Sequence, residues 1–197
     1  RKAAEELATR RYGGITRSVQ DSNFRNTAAL LSDPSAETRR FAVRTLYDLD
    51  PDQAATLVNN ALRDGSREER RNIGAALADS GLLFEAIDDL MDENHERCYG
   101  AFSLLFLVAK AGVVNPLITV IEKHPNIDLR LAVIRLLASS KETRVVSSLE
   151  ALADNRSVAL EVRSAAARAA SQISNPRSQI SNISSQISNQ RSAIRSR

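Results

Sequence analysis

Leu62-Arg63-Asp64-Gly65-Ser66 runs from an aliphatic residue through a variable one to an Asp at a turn, and the same short pattern returns along the chain. Leu31-Ser32-Asp33, Leu90-Met91-Asp92 and Leu152-Ala153-Asp154 repeat it, and Ile121-Glu122-Lys123 keeps the place with Lys for Asp. The third residues stand at 33, 64, 92, 123 and 154, so the steps are 31, 28, 31 and 31. A period of roughly 20 to 50 residues marks an array of supersecondary units rather than a fold built around one motif.

Between these turns the apolar residues recur at helical spacing, and no stretch sustains the alternation of a strand. Pro34 is expected in the opening turn of a helix that carries Phe41, Ala42, Val43, Leu46 and Tyr47 inward and stops at Asp50-Pro51. A second helix follows with Ala54, Leu57, Val58, Ala61 and Leu62. Ser66 and Glu69 have the spacing of a capping box, Ile73, Ala76 and Leu77 lead to a stop at Gly81, and Leu83, Ala86, Ile87 and Leu90 form the partner helix. The third unit starts near Asn94, and its first helix, Tyr99 to Ala111, is apolar on nearly every side, as for a helix covered on both flanks. Its second helix opens at Val113-Val114-Asn115-Pro116-Leu117. The fourth unit pairs Leu129–Ala138 with Arg144–Leu152, and a last helix, Val158 to about Ile173, packs small Ala residues.

Asp33-Pro34-Ser35-Ala36-Glu37-Thr38-Arg39-Arg40-Phe41-Ala42-Val43-Arg44-Thr45-Leu46, with fainter copies at Ile127–Leu137 and Val158–Ala170, resembles the short bacterial form of the HEAT repeat, in which an Arg follows about six residues after a turn Asp. The likeness runs over about residues 22–173. It implies an all-α fold, an α-solenoid or superhelix of about four to five HEAT-like helical hairpins. The organisation expected is an irregular half-repeat or cap over 1–32, repeats over 33–173, and a low-complexity tail over 174–197. Residues 1–32 read as two helices, Ala3 to about Tyr12 and a segment ending in Ala28-Ala29-Leu30-Leu31.

The 43% apolar fraction with three Tyr, five Phe and no Trp suits a core of Leu, Ile, Val and Ala on helices. The longest apolar run, around Leu104–Ala109, is cut by Lys110 and falls short of the ~18 residues of a membrane span. Cys98 is the one cysteine, which excludes an internal disulfide and favours a reducing, cytoplasmic setting. The net charge of +3 is unevenly divided: residues 1–160 hold 21 Lys+Arg against 23 Asp+Glu, whereas 161–197 hold 6 Arg against Glu161 alone. An array so close to neutral has no continuous stripe for phosphates.

The tail repeats Ser-Gln-Ile-Ser-Asn at 171–175, 178–182 and 185–189, a period of seven. One reading of it is a heptad helix that pairs through Ile173, Ile180, Ile187 and Ile194, with Ile183 helping one copy, although a coiled coil needs two apolar positions per heptad and Pro176 interrupts this one. A translated seven-nucleotide tandem repeat explains the period, and the tail is then expected to be dispensable.

Catalytic and metal chemistry find few candidates. His95 and Cys98 lie three apart near Asp92, Glu93 and Glu96, but a zinc site needs a second ligand pair, and His124 beside Pro125 reads as a turn residue. No phosphate-binding glycine loop and no nucleophile–base pair can be assembled. No cofactor or metal is expected, and the chain reads as a non-catalytic protein.

Arg39, Arg70, Arg97, Arg130 and Arg163 recur about once per unit. They are expected to form a structural ladder between repeats, bonding turn acids such as Asp33 and Asp64, rather than a binding surface. The interaction surface is expected on the second helix of each unit, which in HEAT-like stacks lines the concave side. Alignment by the turn residue puts Asn60, Asp88, Thr119 and Glu150 in one row and Arg63 and Glu122 in the next, with Asp89 and Asp92 adding acid. The function that follows is a protein–protein scaffold or adaptor whose partner presents a basic or amphipathic segment.

Two other readings come from the same residues. Similar repeats build the bilin lyase and phycobilisome-associated group, so the resemblance also implies binding of a tetrapyrrole or a phycobiliprotein, with Arg63 at the propionates and Asp88 at the ring nitrogens. The Arg-rich ends, Arg10, Arg11, Arg17 and Arg25 and the tail, would give weak, salt-sensitive attraction to nucleic acid.

Overall fold

The structure, a computed structural model, describes residues 21–175. Among them every regular element is helical. The chain forms two compact units, Arg1–Val113 and Val114–Arg197. The first expected helix, Ala3 to Tyr12, and nearly all of the heptad tail lie outside the described residues.

In the first unit, α1 (described over 21–29) runs into a 3-10 turn at Leu30–Ser32, and α2 (Ala36–Leu49), α3 (Pro51–Asp64), α4 (Arg67–Asp79), α5 (Leu82–Asp89) and α6 (His95–Lys110) follow. Local chemistry sets these boundaries. Pro34 disfavours helix at the residue before it, so Asp33 is extended (φ −62°, ψ 140°). Its carboxylate accepts from the Ser35 amide at 2.8 Å. Ser35 then becomes the cap, its hydroxyl accepting from the Thr38 N–H at 3.3 Å. Pro34 therefore precedes the helix instead of sitting in its opening turn.

Asp50 ends α2 and starts α3, with Oδ1 accepting from the Gln53 amide at 2.9 Å and Pro51 in the first position. The Ser66–Glu69 capping box forms in both directions. Gly81, at φ 84°, supplies the left-handed residue between α4 and α5. Asn94 caps α6 by accepting from the Glu96 and Arg97 amides, so this helix begins a turn before Tyr99.

The core of this unit comes from one stripe of each helix: Ala42, Val43 and Leu46; Ala54, Val58 and Leu62; Ile73, Ala76 and Leu77; Leu83, Ala86 and Ile87; Leu104, Leu105 and Val108. α2 packs on α3 and α4, α5 on α6, and α3 also reaches α6. Gly74 permits the close approach of α4 to the end of α6, because a Cβ there would come within 2.9 Å of Ala111 Cβ. Two expectations fail at the aromatics. Phe41 is 64% exposed, on the opposite side of α2 from Val43 and Leu46, and α6 is enclosed only over its second half, where Leu104, Leu105, Leu107, Val108 and Ala109 are buried, while Tyr99 in its first half is 71% exposed.

The second unit contains α7 (Asn115–Lys123), α8 (Ile127–Ser140), a 3-10 turn at Thr143–Val145, α9 (Val146–Asp154) and α10 (Leu160–Ser174). α8 packs on α7 and α10, and α10 packs on α9, its nearest neighbour. The small buried face of α10, Ala166, Ala169 and Ala170 between Val162 and Ile173, allows that close approach. Val158 lies in the turn before α10 rather than in it, yet is buried. Lys141 closes α8 in the left-handed region (φ 56°), a place usually taken by Gly or Asn.

Candidate functional site

Three of the recurring arginines bond main-chain carbonyls at or just beyond helix ends. Arg39, Arg130 and Arg163 each occupy the fourth position of a helix. Each reaches back to the segment before it. Arg39 Nη1 donates to the carbonyls of Asp33 at 2.6 Å and Pro34 at 2.9 Å, Arg130 Nε donates to the Ile121 carbonyl, and Arg163 Nε donates to the Ala153 carbonyl at 3.1 Å. The last carbonyls of a helix lack intrahelical donors and gather partial negative charge, so a guanidinium there satisfies both.

The partners thus differ from the turn carboxylates that spacing suggested. Asp33 spends its carboxylate on the Ser35 amide, and Asp64 holds its neighbour Arg63 through two bonds of 2.9 and 2.8 Å. Arg97 alone pairs with acids, Asp89 at 2.5 Å and Asp92 at 2.8 Å. Arg70 makes no such bond among the described residues.

Of the residues expected on the second helices, Asn60 and Arg63 on α3, Asp88 on α5, Thr119 and Glu122 on α7 and Glu150 on α9 are exposed. Asp89 and Asp92 are half-buried under Arg97, so much of the acid at that place is already balanced. Thr119 Oγ1 donates to the Asn115 carbonyl at 3.0 Å. Arg63, assigned to a tetrapyrrole propionate in the alternative reading, is held by Asp64, which lowers the acid's pKa and raises the guanidinium's.

The first unit also contains a groove that the repeat pattern did not indicate. Its volume is about 560 Å³, and the end of α2, the start of α3, the length of α5 and the first half of α6 line it. Pro51, Ala55, Leu82, Ala86, Ala101 and Leu104 give it an apolar backing. Asp48, Asp52, Glu85, Asp89 and Glu96 surround this, with Arg97 the one cation in the lining. Arg44 stands beside it, bonding Glu85 at 2.5 Å and Asp48 at 3.2 Å, and these contacts, that to Glu85 first, hold its proton more firmly. Asp52 and Glu96 are exposed and have no cation partner among the described residues.

Tyr47 also lines the groove, but its hydroxyl is covered and has no partner among the described residues, and burial raises its pKa. Of these residues the sequence reading named Asp89 and Arg97 as site or ladder residues. Gly100 in the interior of α6, beside an exposed Tyr, is the signal that would have pointed here.

A second hollow of about 770 Å³ lies between the end of α1, α3 and the start of α4, with Arg39 on its wall. Cys98 Sγ donates to the Leu90 carbonyl at 3.2 Å, and His124 Nδ1 accepts from the Asn126 amide at 3.2 Å. Among the described residues no group of three or more His, Cys, Asp or Glu is arranged to hold a metal ion, and no helix is long and apolar enough to cross a membrane.

Residues 114–181 match the family model for HEAT repeats. The HEAT match begins at the first residue of the second unit and takes in α7 to α10, whereas the fullest copy of the motif by eye, Asp33–Leu46, lies before it. No curated protein and no solved structure matches the chain. HEAT repeats in general serve as protein-interaction scaffolds, and the family is typically non-catalytic.

Proposed function

We propose that this protein is a non-catalytic scaffold that binds another protein through the exposed faces of its second helices, α3 and α5 in the first unit and α7 and α9 in the second. The observation that carries the reading is the division of each of these helices into two sides. On α3, Ala54, Val58 and Leu62 are buried while Asn60 and Arg63 face solvent, and on α5 Leu83, Ala86 and Ile87 are buried while Asp88 is exposed. On α7, Leu117 and Ile121 are buried while Thr119 and Glu122 are exposed, and Glu150 is the exposed counterpart of Leu149 and Leu152 on α9. A polar surface mounted on a rigid apolar backing is what an adaptor requires.

The HEAT match supports the scaffold class. Two variants test the surface, one with Asp88→Lys and Asp89→Lys, the other with Glu122→Lys and Glu150→Lys. The scaffold reading expects at least one to release partners held by the unaltered chain in quantitative co-purification, with an unchanged melting temperature. Retention of every partner by both variants would contradict it.

A further inference from the structure

We propose that the acidic groove walled by α2, α3, α5 and α6 is the docking site for a basic, amphipathic segment of another protein, which crosses α6 over Gly100. This rests on the scaffold reading and names the chemistry of the partner and the place it takes.

Charge gives the first argument. Asp48, Asp52, Glu85, Asp89 and Glu96 line the groove, and even with Arg44 and Arg97 counted against them the balance is negative. Charges within about one Debye length, ~8 Å in physiological salt, are only partly screened, so a Lys or Arg that enters the groove meets the field of the carboxylates lining it. Among the described residues, Asp52 and Glu96 are the groove carboxylates that no cation pairs.

Apolar surface gives the second. Pro51, Ala55 and Leu82 offer a backing for an aliphatic side chain, and Tyr99, 71% exposed, stands at the rim. An exposed Tyr places a flat apolar face beside carboxylates, which suits the stem and head of an Arg or Lys together.

Gly100 gives the third, independent of charge. In a helix interior Gly costs about 1 kcal/mol relative to Ala. At Gly74 the fold requires the missing side chain, but a Cβ at Gly100 would meet nothing within 4 Å. No contact within the chain excludes a side chain there, and the open place lies in the groove lining between Tyr99 and Ala101. Leaving it bare lets a partner's main chain lie against α6.

The test is fluorescence anisotropy on the full chain with a labelled synthetic peptide carrying Lys and Arg on one helical face and Leu on the other. Its Glu-substituted counterpart and a peptide of residues 189–197 of this chain serve as comparisons. The cationic peptide should bind, the anionic one should not, and Asp52→Lys combined with Glu96→Lys should weaken binding about tenfold or more. Gly100→Leu should raise the melting temperature, because Leu is the better helix former, and yet block the peptide.

Equal binding of both peptides, wild-type affinity in Gly100→Leu, or no binding at all would overturn the proposal. Tighter binding of the 189–197 peptide would overturn it in favour of the chain's own tail. Should these groove variants keep partners that the α7 and α9 variants lose, the groove falls while the scaffold reading stands.

Discussion

The two units are both built of helices, but they turn their side chains to different ends. In the second, the apolar residues are almost wholly turned inward, and among its described large apolar side chains only Ile127 and Leu160 are exposed. In the first, Phe41, Phe84, Met91, Tyr99 and Phe102 face outward around a core that is just as dry. Charge follows the same division. The first unit binds Arg44 to Asp48 and Glu85, Arg63 to Asp64 and Arg97 to Asp89 and Asp92, while the second has one loose pair, Arg144 with Glu142 at 3.9 Å, among the described residues. Its prominent arginine, Arg130, is buried instead. The second unit is therefore stabilised chiefly by helix-on-helix packing, and the first keeps much of its distinctive chemistry on the surface.

The largest effect that can break this contrast is a cavity. Leu137, fully buried on α8, should cost about 2–5 kcal/mol when replaced by Ala, read by denaturant unfolding. Arg130→Ala comes next. It strips the Ile121 carbonyl of its buried donor and should cost about 2–3 kcal/mol, whereas Arg97→Ala, which removes a 58% exposed side chain, should cost under about 1 kcal/mol. Equal losses at the two arginines would erase the distinction between buried and surface charge.

Ser66→Ala should cost about 1 kcal/mol by opening the α4 capping box. The box also carries a pH dependence. The Ser66 amide, donating to Glu69 Oε2 at 2.6 Å, holds that carboxyl below its usual 4.5. A folded-state pKa below the unfolded one means the contribution is complete above about 4.5 and disappears as pH falls through the lower folded value. Thermal melts of Glu69→Gln against the unaltered chain should therefore converge in acid. The smallest effects are at the surface of the first unit, where Gly100→Ala should stabilise by about 0.5–1 kcal/mol and Phe41→Ala should stay within about 0.5 kcal/mol.

What could be read beforehand was what is local. The turn at Asp64, the Ser66–Glu69 box, the Asp50-Pro51 junction and Asn94 each depend on residues within one turn of one another, so their spacing was enough. The acceptors of the arginines were not legible, because Arg39, Arg130 and Arg163 bond main-chain carbonyls, which every residue offers and no sequence pattern marks. Phe41 and Tyr99 misled for another reason. Hydropathy ranks a Phe as core wherever it falls, while exposure depends on which neighbouring helix happens to cover that side. The groove draws residues from Tyr47 to Leu104, and the packing of both α3 and α5 on α6 brings them together.

The central claim, that the binding surface of the first unit is its acidic groove, is tested most directly by NMR titration of the isotope-labelled full chain with the cationic amphipathic peptide. The account predicts shift changes confined to Asp48–Ala55, Leu82–Asp89 and Glu96–Leu104, largest at Gly100. Changes centred on α7 to α10, or spread evenly over both units, would contradict it.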